Sequence, residues 1–201
     1  MAATVKRKPA SDAKCDARSI FLIGFMGAGK SSVGRALSEQ LGWAFEDLDD
    51  RIEQREGRRI AEIFRDSGES GFRRAEQAAL KEVMRELKGE AKRIIALGGG
   101  AFVQKHNARL LETAGVTTLF LDAEAKELWR RCQKQATGDG VQRPLLGSLR
   151  SFCELYKVRR PHYLKASMRQ MTDGKNVTQI AAEVIKTLGL TRKGESRGKR
   201  N

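Results

Sequence analysis

Gly24-Phe25-Met26-Gly27-Ala28-Gly29-Lys30-Ser31 decides how the rest of this chain is read. The octapeptide fits GxxxxGK[ST] and stands between two regular segments. Before it runs the continuous apolar stretch Ile20–Phe25. After it comes Ser31–Leu41, with Val33, Leu37 and Leu41 at helical spacing and Gly42 as a stop. Glycines let the loop turn tightly, so that successive backbone N–H groups face phosphate oxygens, and the following helix adds the positive end of its dipole. Lys30 supplies a cation for β- and γ-phosphates, and the Ser31 hydroxyl is placed to ligate Mg²⁺. A glycine-rich turn that happens to precede a lysine is the competing reading, and the strand–loop–helix context weighs against it.

Outward from this loop, strand-like and helix-like segments alternate. Further strands are expected at Trp43–Phe45, Arg93–Leu97, Thr117–Leu121 and Ser167–Met171. Helices are expected at Arg51–Arg55, Ile60–Arg65, Phe72–Leu87, Glu124–Lys134, Leu149–Ala166 and Val177–Leu188, with Pro161 bending or ending the fifth of these. Thr137–Gly147, punctuated by Gly138, Gly140, Pro144 and Gly147, reads as a mobile insert. Such alternation implies an α/β fold of parallel βαβ units with right-handed crossovers, and ligands bind beyond the carboxyl ends of the strands in such sheets.

Length and composition fit this reading. The 201 residues suit one α/β domain, 40% of them hydrophobic and 32% charged. No apolar run approaches the roughly 18 residues that cross a bilayer, and Met1–Arg18 is broken by charges that a secretory signal would lack. Three scattered cysteines, Cys15, Cys132 and Cys153, form neither a disulfide framework nor a metal pattern. A cytoplasmic, soluble protein is expected. The net charge of +14 divides into +3 over residues 1–18, +4 over 191–201 and +7 in the body. With no aromatic residues among the basic runs, the two tails are read as solvated ends rather than nucleic-acid binders, and the body's charge as attraction for an anionic substrate.

The phosphate loop does not name the acceptor. Motors, GTPases and small-molecule kinases share it, and the strand at Ile94–Leu97 ends in three glycines where many such proteins carry an aspartate. The acidic pair Asp47 and Asp49 follows the second strand instead. On an extended segment both carboxylates face one way, so one can support Mg²⁺ through water while the other accepts a proton from a hydroxyl; a helix N-cap is the alternative. Gly98, Gly99 and Gly100 permit close approach to a ligand, or form an ordinary turn. Arg73, near a helix start where acids are favoured, fits either a bound anion or a pair with Glu69 or Glu76. Arg143, in the insert, is placed to close over nucleotide or to lie on a plain loop. Arg159 and Arg160 stand beside this region with nothing to say which faces inward, and no partner pattern surrounds His106 or His162.

Taken together these motifs resemble the shikimate kinases, over nearly all of residues 19–190: Gly24–Ser31, Phe45–Asp49, Ile60–Phe64, Gly68-Glu69 before Phe72-Arg73, Gly98–Gly100, Arg143–Leu146 and Arg159–Tyr163. The resemblance implies a five-stranded parallel sheet with helices on both faces, of nucleoside-monophosphate-kinase type, with a lid at about 136–147 and a substrate-binding subdomain. It implies transfer of the ATP γ-phosphoryl group to the 3-hydroxyl of shikimate by a monomer using Mg²⁺. Asp49, Lys30 and Arg143 take the catalytic positions. Gly27, Ala28, Gly29, Lys30, Ser31, Ser32, Arg131 and Arg143 take the ATP-binding ones, with Arg131 stacking on adenine. Asp49, Arg73, Gly98, Gly99, Gly100 and Arg159 hold shikimate, Arg73 and Arg159 gripping its carboxylate. Ser31, and Asp47 through water, hold the metal. Ser32 stands where the family usually has Thr, Gln133–Gly140 extends the lid, and the basic tails lie outside the resemblance. The rival readings are a kinase of another polyol acid such as gluconate, and a nucleotide-dependent nucleic-acid binder.

Overall fold

The computed structural model describes residues 19–87, 92–139 and 147–194, with residues 136–139 described by backbone alone. All five residues of β1 (Ser19–Ile23) are buried, as a continuous apolar strand must be when helices cover both faces of its sheet. It pairs in parallel with β3 (Arg93–Ala96), Phe21 opposite Ile95, and with β4 (Thr117–Asp122), Phe21 opposite Thr118. β2 (Ala44–Asp47) lies beyond β3 and β5 (Met168–Met171) beyond β4. The order is β2-β3-β1-β4-β5, parallel throughout. Phe21, Leu22, Ile94, Ile95, Phe120 and Leu121 have no solvent exposure and form the middle of the core.

Seven α-helices connect the strands among the described residues: α1 (Lys30–Leu41), α2 (Leu48–Glu56), α3 (Ile60–Glu86), α4 (Lys105–Thr113), α5 (Ala125–Asp139), α6 (Leu149–Tyr163) and α7 (Val177–Leu188). α1 packs on α7, α2 on α3, and α5 on α6. The five-stranded parallel sheet and its helical layers agree with the sequence reading, and strand limits move by one or two residues.

The helices depart from expectation in instructive places. The two pieces expected at Ile60–Arg65 and Phe72–Leu87 are one helical run broken at Gly68, whose φ of 63° and ψ of −172° no helix accommodates. α4 and the 3₁₀ turn before it (Ala101–Val103) were not anticipated. Only Asn107 and Leu111 of α4 are buried, and its N-cap Gln104 makes no side-chain capping bond, so both usual signals are faint. α5 runs on to Asp139, five residues past Lys134 and through Gly138, into the first residues of the expected insert. α6 tolerates Pro161 in its last turn and ends at Tyr163, where the Leu164 N–H reaches the Arg160 carbonyl. Residues 140–146, and with them Arg143 and most of the expected lid, lie outside the described residues, as do both tails up to residue 18 and from residue 195.

Candidate active site

Three strand ends build one cleft. β1 runs into the glycine loop, β2 into Asp47, and β3 into Leu97–Gly100. Gly27 has φ 77°, and a Cβ there would stand 2.6 Å from the Leu128 carbonyl oxygen and 2.8 Å from Cys132 Sγ, so only glycine lets the loop lie against α5. Gly29 is the N-cap of α1 and offers no side chain to its first turn. The N–H groups of that turn are therefore presented to a bound anion, with the helix dipole behind them. Lys30 Nζ donates to the carbonyls of Gly24 and Phe25, both at 3.1 Å, which folds its ammonium over the loop. Gly27, Gly29, Lys30, Ser31 and Ser32 line the cleft, and Ala28 is buried beneath it.

Asp47 and Asp49 are not alternate residues of a strand, as the extended reading had it. Asp47 ends β2 and caps α2, its carboxylate accepting from the Asp49 N–H at 3.2 Å. Asp49 lies in the first turn of that helix. The cap and the site are nevertheless one feature, since both carboxylates line the cleft. Asp47 Oδ2 accepts a 2.6 Å hydrogen bond from the Ser31 hydroxyl, joining the second strand to the phosphate loop. Asp49 Oδ1 is buried without a hydrogen-bond partner among the described residues. Burial, aided by the neighbouring Asp47, pushes the Asp49 carboxyl up to about 6, while Lys30 pulls the other way.

Arg73 satisfies both of its sequence readings. Its guanidinium lies at 3.0 and 3.1 Å from the two Glu76 carboxylate oxygens and donates to Glu69 Oε1 from Nε and Nη2, yet it also lines the cleft. Glu76 is only 1% exposed. Desolvation raises its pKa, opposed mainly by Arg73, while Asp49 adds to the rise. Sequence reasoning treated Glu76 only as a surface partner. Its place beside Ala75, Ala79 and Leu80 on the buried face of α3 was the available signal. Gly98 passes between the two acids: a Cβ there would sit 2.8 Å from Asp49 Oδ1 and 3.4 Å from Glu76 Oε1. At Gly100 a Cβ would meet the Arg73 guanidinium at 2.7 Å. Gly99 donates nothing to this crowding, but its carbonyl accepts from the Tyr163 hydroxyl.

The structure settles the two arginines of α6. Arg159 lines the cleft, its guanidinium carbon 5.8 Å from the centre of the Phe25 ring. Arg160 turns to Asp122 at 2.8 Å. Arg131 stands outside the cleft lining, donating to Glu127, the Thr172 hydroxyl and the Thr172 carbonyl at 2.8 to 3.0 Å. Met26, Ile60, Phe64, Phe72, Leu97 and Gln135 complete the lining of a cleft of about 480 Å³. Lys30, Arg73 and Arg159 line it together with Asp47, Asp49 and Glu76, a set able to hold an anionic donor and a hydroxylated anionic acceptor together.

No three His, Cys, Asp or Glu side chains gather as a metal cage among the described residues. One hydroxyl bonded to one carboxylate at the phosphate loop is instead the donor set of a divalent cation carried largely by phosphates and water, and Ser31 with Asp47 fits Mg²⁺ in that sense.

Comparison with known proteins agrees with this geometry. A family model described as shikimate kinase matches residues 26–189. The chain is 38% identical over 169 residues to a shikimate kinase of Persephonella marina, covering 84% of this chain and 97% of the relative. To that of Limosilactobacillus fermentum it is 39% identical over 175 residues, covering 86% and 96%. A solved shikimate kinase from Acinetobacter baumannii, in complex with shikimate, superposes with a TM-score of 0.72 at 30% identity, over 85% of this chain and 92% of that one. A family match over most of the chain, relatives sharing over a third of its residues and a like fold in a solved member agree, and the chain belongs to the shikimate kinase family, kinases that transfer a phosphoryl group from ATP to shikimate.

Proposed function

We propose that the cleft performs this transfer with Asp49 at the reacting hydroxyl and with Arg73 and Arg159 on the acceptor's carboxylate. The glycine loop and the first turn of α1 cradle the ATP phosphates, with Lys30 against the β- and γ-phosphoryl groups. Ser31 directly, and Asp47 through water, would hold Mg²⁺, which when bound neutralises phosphate charge. The two guanidinium groups each present a fork that matches a carboxylate, and Glu76 holds the first of them rigid. The 3-hydroxyl of shikimate then lies beside Asp49, which orients it and takes its proton as its oxygen bonds the γ-phosphorus and the bond from that phosphorus to the β,γ-bridging oxygen breaks, releasing ADP. Gly98–Gly100 leave room for the ring. Arg131 at the adenine, and Arg143 carried over the γ-phosphoryl by a lid at 136–147, complete the reading. Most of the rate enhancement then comes from positioning and fixed charge.

The observation that carries this reading is Asp49 itself: a buried carboxyl against Gly98, with one oxygen lacking a partner among the described residues, pushed up to about 6. A strongly perturbed acid in a cleft is what a proton acceptor for a hydroxyl requires. Cys132 and Cys153 remain thiols, which suits a cytoplasmic enzyme, and the reading includes a monomer. A coupled ADP-release assay with Mg-ATP tests it. Shikimate should drive turnover and gluconate should not. Asp49→Asn should lower kcat by about 10²- to 10⁴-fold while ATP binding stays within about twofold. Near-normal turnover in that variant would remove Asp49 from the reaction.

A further inference from the structure

The carboxyl end of β4 holds a charged cluster that the mechanism above does not use. Asp122 is 1% exposed. Its Oδ1 accepts from the Tyr156 hydroxyl. Its Oδ2 accepts from Arg160 at 2.8 Å and from Arg169 of β5 at 2.8 Å. Tyr156 also lies 2.9 Å from the Ala123 carbonyl, and the Asp122 carbonyl itself accepts from Thr172. Both carboxylate oxygens are therefore filled, by groups from α6 and from β5. A buried charge so completely bonded tolerates little displacement of its partners.

Tyr156 and Arg160 are one helical turn apart and share a face of α6. Arg159 lies on the adjoining strip, one residue from Arg160, and Tyr163 follows it by a turn and reaches the Gly99 carbonyl. Rotation of α6 about its axis is the motion that would carry Arg159 away from the cleft. Asp122 opposes that rotation through two side chains of the helix at once. It also occupies Arg160, the guanidinium next to Arg159 on the helix, and so keeps it from competing for an acceptor's carboxylate. Phe25 adds a second support, packed edge-on to Phe152 and beside Tyr156, with the Arg159 guanidinium over its ring.

We infer that Asp122 is a positioning residue for the phosphoryl-transfer reaction, fixing α6 through Tyr156 and Arg160 so that Arg159 meets the acceptor carboxylate. The inference rests on the role given to Arg159 above. It assigns to a residue outside the cleft part of the affinity for the acidic acceptor, and none of the affinity for nucleotide.

The test measures KM for shikimate and for ATP in the wild-type protein, Asp122→Asn, Arg159→Ala and the double variant. Asp122→Asn should raise the shikimate KM by about tenfold, the scale of a displaced binding group, and leave the ATP KM within about twofold. In the Arg159→Ala background the same substitution should have no further effect on shikimate KM, because its action passes through Arg159. General loosening of the fold would instead raise both KM values or add to the Arg159 effect, and either result overturns the inference, as does an unchanged shikimate KM. If Asp122→Asn does not fold, Arg160→Gln and Tyr156→Phe decide the matter by the same criteria. If Arg159→Ala alone leaves shikimate KM unaltered, the failure lies in the proposed clamp.

Discussion

Asp49 shows how one residue links chemistry to stability. In an unfolded chain its carboxyl titrates near 3.8, and in the folded protein near 6. Between those values the folded form holds a proton that the unfolded form has lost, so stability falls as pH rises from about 4 to about 6 and stays lower above that. Roughly two pKa units correspond to about 3 kcal/mol, a cost to the ligand-free enzyme that the proposed role of Asp49 as proton acceptor accounts for. Asp49→Asn should therefore raise Tm by several degrees at pH 8 and have almost no effect at pH 4, as followed by circular dichroism. Equal gains at both pH values would detach the effect from the carboxylate's charge. In the wild type kcat/KM should fall as pH drops through about 6, where the free enzyme protonates Asp49.

At the scale of elements, the Gly98–Gly100 turn after β3 brings α2, α3 and α6 to one point. Gly98 separates Asp49 from Glu76, and Gly100 touches the Arg73 guanidinium. Gly98→Ala would force the Asp49 carboxylate, held on a short side chain at a helix start, out of its 2.8 Å approach. The expected result is a loss of kcat of about tenfold or more with ATP affinity preserved, measured by steady-state kinetics and ATP binding. Unchanged kcat would show that this spacing is immaterial.

These same elements mark what could be read beforehand. The phosphate loop was legible because its strand and helix carry opposite periodicities on either side of a fixed glycine spacing. The buried strand β1 announced itself as an apolar run. α4 did not, having few apolar residues and no capping side chain. Glu76 was hidden because a glutamate is normally solvated, and only the packing of α3 shows it inside. The choice between Arg159 and Arg160 turned on Asp122, 37 residues or more away in the chain, a contact that no local pattern encodes.

For the whole molecule, a positively charged body around a cleft that pairs three cations with three acids suits an enzyme that draws in two anionic substrates and binds them side by side. Parallel pairing puts the carboxyl ends of β1, β2 and β3 on one edge of the sheet, where the cleft lies. In the proposed arrangement the clamp and Asp49 together select one hydroxyl. Phosphorus NMR correlated to protons, on the product formed from Mg-ATP and shikimate, measures this directly. A single phosphomonoester on the 3-oxygen, formed in equal amount with ADP, is the expected outcome. Inorganic phosphate alone, or esters spread over the other hydroxyls, would contradict it.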